Sequence, residues 1–195
     1  MTTKGLIIVD VQPTFCEGGE LGVEGGNECA RAIARYIRSN HARYDFLATT
    51  QDWHIDPGSH FSETPDFVDS WPPHGLADSD NAQLHPEIAA ALRDFEDVRH
   101  YKKGQYQAAY SGFEGADDGG ETLDEALARA RVTQVDIVGI AESHCVKQTA
   151  LDAVALGYGT HVVSNLTVPV SPELGRIARE QMQSAGVELV TVDLS

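Results

Sequence analysis

Six short apolar runs alternate with amphipathic stretches along this chain, and few folds accept that order. Residues 6–11, 46–50, 98–101, 135–140, 160–164 and 188–192 have the length and β-branched content of buried strands. Between them lie helical patterns. Cys29, Ile33, Tyr36 and Ile37 recur at helical spacing behind Asn27 as the expected N-cap, and a shorter helix is expected over residues 86–93. Thr122 and Glu125 form a capping box ahead of Leu123 and Leu127. Val146, Ala150, Ala153 and Val154 mark a face that stops near Gly157, and Ser171-Pro172-Glu173 opens a last helix through Leu174, Ile177, Ala178 and Met182. Each parallel strand pair needs a right-handed crossover of about a dozen residues, which these helices supply. The expected fold is therefore a doubly wound, three-layer α/β/α domain with a six-stranded parallel sheet of Rossmann-like topology.

At 195 residues the chain has the size of a single domain, residues 1–195. Fourteen basic side chains against thirty acidic ones give a formal charge of −16, a field that repels phosphate backbones and anionic lipid; neither nucleic acid nor membrane is an expected partner. The start, Met1-Thr2-Thr3-Lys4, runs directly into a strand pattern, and no apolar run approaches the ~20 residues that span a bilayer, so a cytoplasmic protein is expected. Cys16, Cys29 and Cys145 are too few and too scattered for a disulfide framework or a thiolate metal site. Cys29 lies on a helical apolar face and reads as core.

Ligands of open parallel sheets sit beyond the carboxyl ends of the strands. The turn after the first strand reads Asp10-Val11-Gln12-Pro13, with a carboxylate and a proline where a dinucleotide fold needs glycines, so dinucleotide binding is excluded. Three reactive groups fall at strand ends instead: Asp10 after the first, Lys103 after the third and Cys145 after the fourth, at the start of a helix. A helix N-terminus and a neighbouring ammonium both lower a thiol's pKa, so a nucleophilic thiolate is expected at Cys145. The turn of Gly139 to His144 can aim backbone N–H groups at a developing oxyanion.

Residues 51–85 and 103–120 interrupt the alternation. Segments beyond ~15 residues without regular structure are uncommon in compact domains and usually functional. The first contains Asp52, His54, His60 and His74, one carboxylate and three imidazoles suited to Zn²⁺, Fe²⁺ or Mn²⁺. His41, His100, His144 and His161 stand outside this set and read as surface or packed residues, and His85 reads as the start of the helix at Pro86.

Taken together, Ile7-Ile8-Val9-Asp10-Val11-Gln12-x-x-Phe15, Asp52-x-His54-x5-His60, Trp71-Pro72-Pro73-His74, Lys103-Gly104, Tyr110-Ser111-Gly112-Phe113-Glu114-Gly115 and Gly139-Ile140-Ala141-x-x-His144-Cys145-Val146 resemble the nicotinamidase/pyrazinamidase branch of the isochorismatase-like cysteine hydrolases. The resemblance covers nearly the whole chain. It implies a triad of Cys145 as nucleophile, Asp10 as proton shuttle and Lys103 as the cation favouring the thiolate. It also implies one divalent metal ion on Asp52, His54, His60 and His74, within a metal loop at about 51–85. Phe15, Trp71 and Tyr110 match aromatic positions that line the ring pocket, and the N–H groups of Ala141 and Cys145 match an oxyanion hole beside an Ile140–Ala141 cis peptide. The expected partner is a small-molecule amide, nicotinamide, and the chain is expected to be a monomer or homo-oligomer. Glu142-Ser143 and Gln51 depart from the branch, where Thr-Asp and a basic residue are usual.

The reaction this implies is hydrolysis of nicotinamide to nicotinate and ammonia through a cysteine thioester. The nearest alternative is a related cysteine hydrolase acting on a carbamoyl or ureido compound, or on isochorismate. Two others are a metal-hydroxide amidohydrolase in which Cys145 is incidental and a non-catalytic binding module.

Overall fold

The fold follows from two alternating patterns, one of strands and one of helices, seen in a computed structural model that describes residues 2–194. Six strands, β1 (Lys4–Val9), β2 (Phe46–Asp52), β3 (Val98–Lys103), β4 (Gln134–Ile140), β5 (Gly159–Val168) and β6 (Glu188–Val190), form one parallel sheet in the order β3-β2-β1-β4-β5-β6. The five α-helices are α1 (Gly26–Asn40), α2 (Pro86–Leu92), α3 (Leu123–Arg129), α4 (Lys147–Ala155) and α5 (Pro172–Ala185). Alternate residues of a strand face opposite sides, and the core divides accordingly. Leu6 and Ile8 pack with Ile33, Ile37 and Ile88 of α1 and α2, while Ile7 and Val9 pack with Leu127, Ala150 and Met182 of α3, α4 and α5. The result is the expected three-layer sandwich. Burying each such aliphatic side chain contributes about 1.5–3 kcal/mol.

The strand order reverses between β1 and β4, so the crossovers leave the sheet on opposite faces there and a crevice opens at the carboxyl ends. Gly139 makes the tight pairing at that point feasible. Its φ is +129°, and a Cβ would come within 2.0 Å of the Val9 carbonyl oxygen.

The helix ends match their sequence signals with one exception. Thr122 and Glu125 make the capping box at α3, Ser171 accepts from the Leu174 N–H at α5, and His85 accepts from the Glu87 N–H at α2. Asn27 is not the cap of α1. The helix begins at Gly26 after Gly25 in the left-handed region, and the Glu17 carboxylate accepts from the N–H groups of Gly25 and Asn27 at 2.7 and 2.8 Å. A carboxylate brought by the preceding loop meets the helix's free donors and its dipole better than a local amide.

At the opposite end of the sheet the buried Asp136 accepts from the Tyr44 hydroxyl at 2.8 Å and pairs with His161 at 3.0 Å. His161 and Asp136 there satisfy each other far from the crevice. Cys29 and Cys16 both lie in the apolar core, and burial pushes each thiol up to about 12. Among the described residues no helix is long and apolar enough to cross a membrane.

Candidate active site

Asp10 immediately follows β1, where its φ of 48° turns the chain away from the strand. The Thr50 hydroxyl of β2 donates to its Oδ1 at 2.6 Å, which fixes the carboxylate's rotamer. Lys103, the last residue of β3, extends its ammonium toward β1 and forms an ion pair with Asp10 Oδ2 at 2.9 Å. The same ammonium contacts Asp52 Oδ1, lies 3.3 Å from the Ala109 carbonyl oxygen and 3.8 Å from the Cys145 sulfur. Asp10 is 0% and Lys103 1% exposed, so one cation and two carboxylates share a water-poor layer at the strand ends.

Cys145 lies in a π-helical turn, Glu142–Val146, that leads from β4 into α4. The peptide bond ahead of that turn, Ile140–Ala141, is cis. Ser143 Oγ accepts from the Val170 N–H at 3.1 Å, and the Glu142 carboxylate takes a 2.7 Å bond from Arg179 of α5, so the turn is anchored from behind.

The electrostatics of this group differ from the expectation for the thiol. Burial pushes Cys145 well above its ordinary value; Lys103 pulls it down, but Asp10 and Asp52 add to the upward push. The ammonium is shared between two carboxylates, so its field at sulfur is largely cancelled. Burial acts against the charged form of Lys103 as well, yet Asp10 and Asp52 together hold it well above the usual lysine range. Asp10 is raised, first by burial and then by Asp52, against the pull of Lys103. A carboxylate of raised basicity beside a protonated thiol is suited to taking that thiol's proton.

Asp52 ends β2 and faces a second cluster. Gln12 holds it in place: the Gln12 side chain accepts from the Asp52 N–H at 2.9 Å and donates to the Asp52 and Ala82 carbonyls at 2.9 and 2.7 Å. Asp52 Oδ2 lies 3.5 Å from His54 Nε2 and 3.6 Å from His74 Nε2. The ligand nitrogens of His54, His60 and His74 fall within 4.8 Å of one another, all buried. His54 Nδ1 donates to the Gly104 carbonyl at 2.6 Å and His74 Nδ1 to the Pro72 carbonyl at 2.8 Å. Those bonds leave each Nε2 lone pair pointing at the shared space, the tautomer a metal requires. His54 Nε2 and His60 Nδ1 are buried without a hydrogen-bond partner. Burial pushes His60 down to about 4, which keeps it neutral. Burial would raise Asp52, but Lys103 holds it well below the usual carboxylate range. Three imidazoles and one carboxylate, with His54 Nε2 and His60 Nδ1 buried and unpaired, fit a divalent cation. Gly104 makes the closure feasible, since a Cβ there would come within 2.5 Å of the His54 ring.

Both clusters border a cavity of about 340 Å³, with Asp52, His60, His74, Ala141 and Cys145 in its lining. Phe15, Trp71 and Tyr110, expected at a ring pocket, line it too. The Trp71 indole N–H donates to the Tyr110 hydroxyl at 3.0 Å. His144, read from sequence as merely packed, is also in the lining, edge-on to Trp71 at 5.6 Å between ring centroids. Phe67 and Val170 are also in the lining. Adjacency to Cys145 was the one sequence signal for His144; Phe67 and Val170 carried none.

The isochorismatase domain family model matches residues 4–193 of the chain. Over 187 residues the chain is 49% identical to the nicotinamidase/pyrazinamidase of Mycobacterium tuberculosis, covering 96% of this chain and 98% of that one. The pyrazinamidase of Pyrococcus horikoshii in complex with zinc is similar in structure, with a TM-score of 0.81 at 31% identity over 97% of this chain and 99% of that one. PnC1 from L. infantum in complex with nicotinate has a TM-score of 0.80 at 30% identity, covering 97% of this chain and 93% of that one.

Proposed function

This chain belongs to the isochorismatase domain family, and from that premise we infer that it is a nicotinamidase, an amidohydrolase that converts nicotinamide to nicotinate and ammonia. Pyrazinamide, which differs by one ring nitrogen, is accepted by the same cavity. One observation carries this reading: the Lys103 ammonium joins Asp10 at 2.9 Å and approaches at 3.8 Å the sulfur of Cys145, which lines an aromatic cavity bordered by His60 and His74.

Cys145 is the nucleophile. As its sulfur attacks the carboxamide carbon, its proton passes to Asp10, and the N–H groups of Ala141 and Cys145 receive the developing oxyanion. Asp10 then gives the proton to the departing nitrogen, and ammonia leaves a thioester on Cys145. A water loses its proton to Asp10 and attacks that thioester; the proton returns to sulfur as nicotinate is released. Lys103 keeps Asp10 oriented and offsets the negative charge that accumulates beside it. Phe15, Trp71 and Tyr110 enclose the flat ring.

Asp52, His54, His60 and His74 would hold one divalent ion, zinc, iron or manganese. When bound it supplies a positive charge on the cavity wall toward which a pyridine nitrogen can orient. Asp52 joins the two clusters, because its other oxygen contacts Lys103. Residues 1–195 act as one hydrolase domain, with the metal loop at about 51–85.

The test is ammonia release from nicotinamide, pyrazinamide and benzamide, alongside elemental analysis of the purified protein. The first two are expected to be hydrolysed and benzamide, lacking the ring nitrogen, to be a poor substrate. No ammonia from nicotinamide would overturn the assignment.

A further inference from the structure

We propose that Phe67 closes the outer end of the cavity and sets the limit on substituents at ring carbon 5 of the substrate. This inference rests on the nicotinamidase reading above. A 3-carboxamide held with its carbonyl carbon at Cys145 and its ring nitrogen toward His60 and His74 has two of its edges committed. The ring edge centred on carbon 5 faces neither group and must meet the rest of the lining.

The aromatic lining residues form a gradient from the interior outward. Phe15 is 9% exposed, Trp71 and Tyr110 are half-buried, and Phe67 is 59% exposed. Although 59% exposed, Phe67 is among the side chains that line the cavity. The Phe67 ring meets Trp71 edge-on, with centroids 5.9 Å apart, so it continues the wall that Trp71 begins.

The backbone holds Phe67 in that place. Its φ is 58°, a left-handed conformation unusual for an aromatic residue. Asp66 Oδ1 accepts from the N–H groups of Val68, Asp69 and Ser70, each at 2.9 Å, and the Phe67 N–H donates to the Ser70 carbonyl at 3.1 Å. At its base the loop is closed by paired backbone bonds: Trp71 N–H to the His60 carbonyl at 2.8 Å and Ser62 N–H to the Trp71 carbonyl at 3.0 Å. The Tyr110 hydroxyl, which accepts from Trp71, donates to the Val68 carbonyl at 3.4 Å. A cavity residue thus ties the loop down beside Phe67. A wall held in this way is placed to discriminate against a bulky group at that edge.

The experiment compares nicotinamide with 5-phenylnicotinamide in steady-state hydrolysis by the wild-type enzyme, Phe67→Gly and Phe67→Tyr. Glycine removes the ring and adopts the left-handed φ without strain, so the variant is expected to fold. Circular dichroism checks this, and Phe67→Ala serves as a second truncation. Phe67→Gly should raise the ratio of kcat/KM for 5-phenylnicotinamide to that for nicotinamide about tenfold or more, and raise KM for nicotinamide. Phe67→Tyr, which keeps the ring, should retain the wild-type ratio. An unchanged ratio in folded Phe67→Gly and Phe67→Ala overturns the assignment of Phe67, whereas a wild-type enzyme inert toward nicotinamide would overturn the function itself.

Discussion

Lys103 Nζ lies 3.8 Å from the Cys145 sulfur, and the thiol is nonetheless held well above its ordinary pKa. Burial is the first cause, and the two carboxylates that share the ammonium are the reason proximity alone does not produce a thiolate. On the proposed reading, reactivity arises when the thiol proton moves to Asp10 as the amide is attacked.

Removing the cation should be more damaging than removing an ordinary ion pair. In Lys103→Met, Asp10 and Asp52 face each other in a buried layer without a counter-charge. The expected loss is about 3–5 kcal/mol of folding stability by denaturant unfolding, together with loss of ammonia release. Stability close to wild type would contradict the shared-cation arrangement.

The imidazole cluster predicts metal-linked stability. Protein stripped by a chelator should gain thermal stability on adding zinc, by about 3 kcal/mol at a hundredfold excess over Kd, or roughly 5–10 °C for a chain of this size. His54→Ala should show little of that gain. Differential scanning calorimetry with elemental analysis reads both.

Glu142 and Arg179 anchor the turn that carries Cys145, with Glu142 at 1% exposure and its Oε1 unpaired. Arg179→Met should destabilise the fold by about 1–3 kcal/mol, the value reduced because the arginine is 38% exposed and water screens the pair. The double variant Glu142→Thr with Arg179→Met should recover most of that loss. A double-mutant cycle showing no coupling would rule out the anchor.

Asp66 gives a pH prediction. Its hydrogen bonds from the N–H groups of Val68, Ser70 and Asp69 hold its carboxyl far below the ordinary carboxylate range. A depressed folded pKa contributes stability above the unfolded value, lost as pH falls from about 4 toward the folded pKa. Amide exchange protection at Val68, Asp69 and Ser70, corrected for intrinsic rates, should decline over that acid range and be low in Asp66→Asn even at neutral pH. Equal protection in wild type and variant would contradict this.

The strands were legible because β-branched runs between helical periods have one compact solution, and Asp10, Lys103 and Cys145 were legible because strand ends in that solution converge. The Asp52-x-His54 spacing likewise pointed to a shared centre. What escaped were relationships that cross the chain. Asp52 serves Lys103 from 51 residues away, Glu17 rather than Asn27 caps α1, and His144 turns into the cavity rather than away from it. The raised thiol was illegible for the same reason: burial and a second carboxylate exist only after folding.

The central claim is that a sulfur at position 145 carries the acyl group. Purified Cys145→Ala, shown by circular dichroism to be folded and by elemental analysis to retain its metal, is assayed for ammonia release from nicotinamide. The account predicts a rate lower than wild type by a factor of about 10⁴ or more. Turnover within about tenfold of wild type would contradict it and place the chemistry elsewhere.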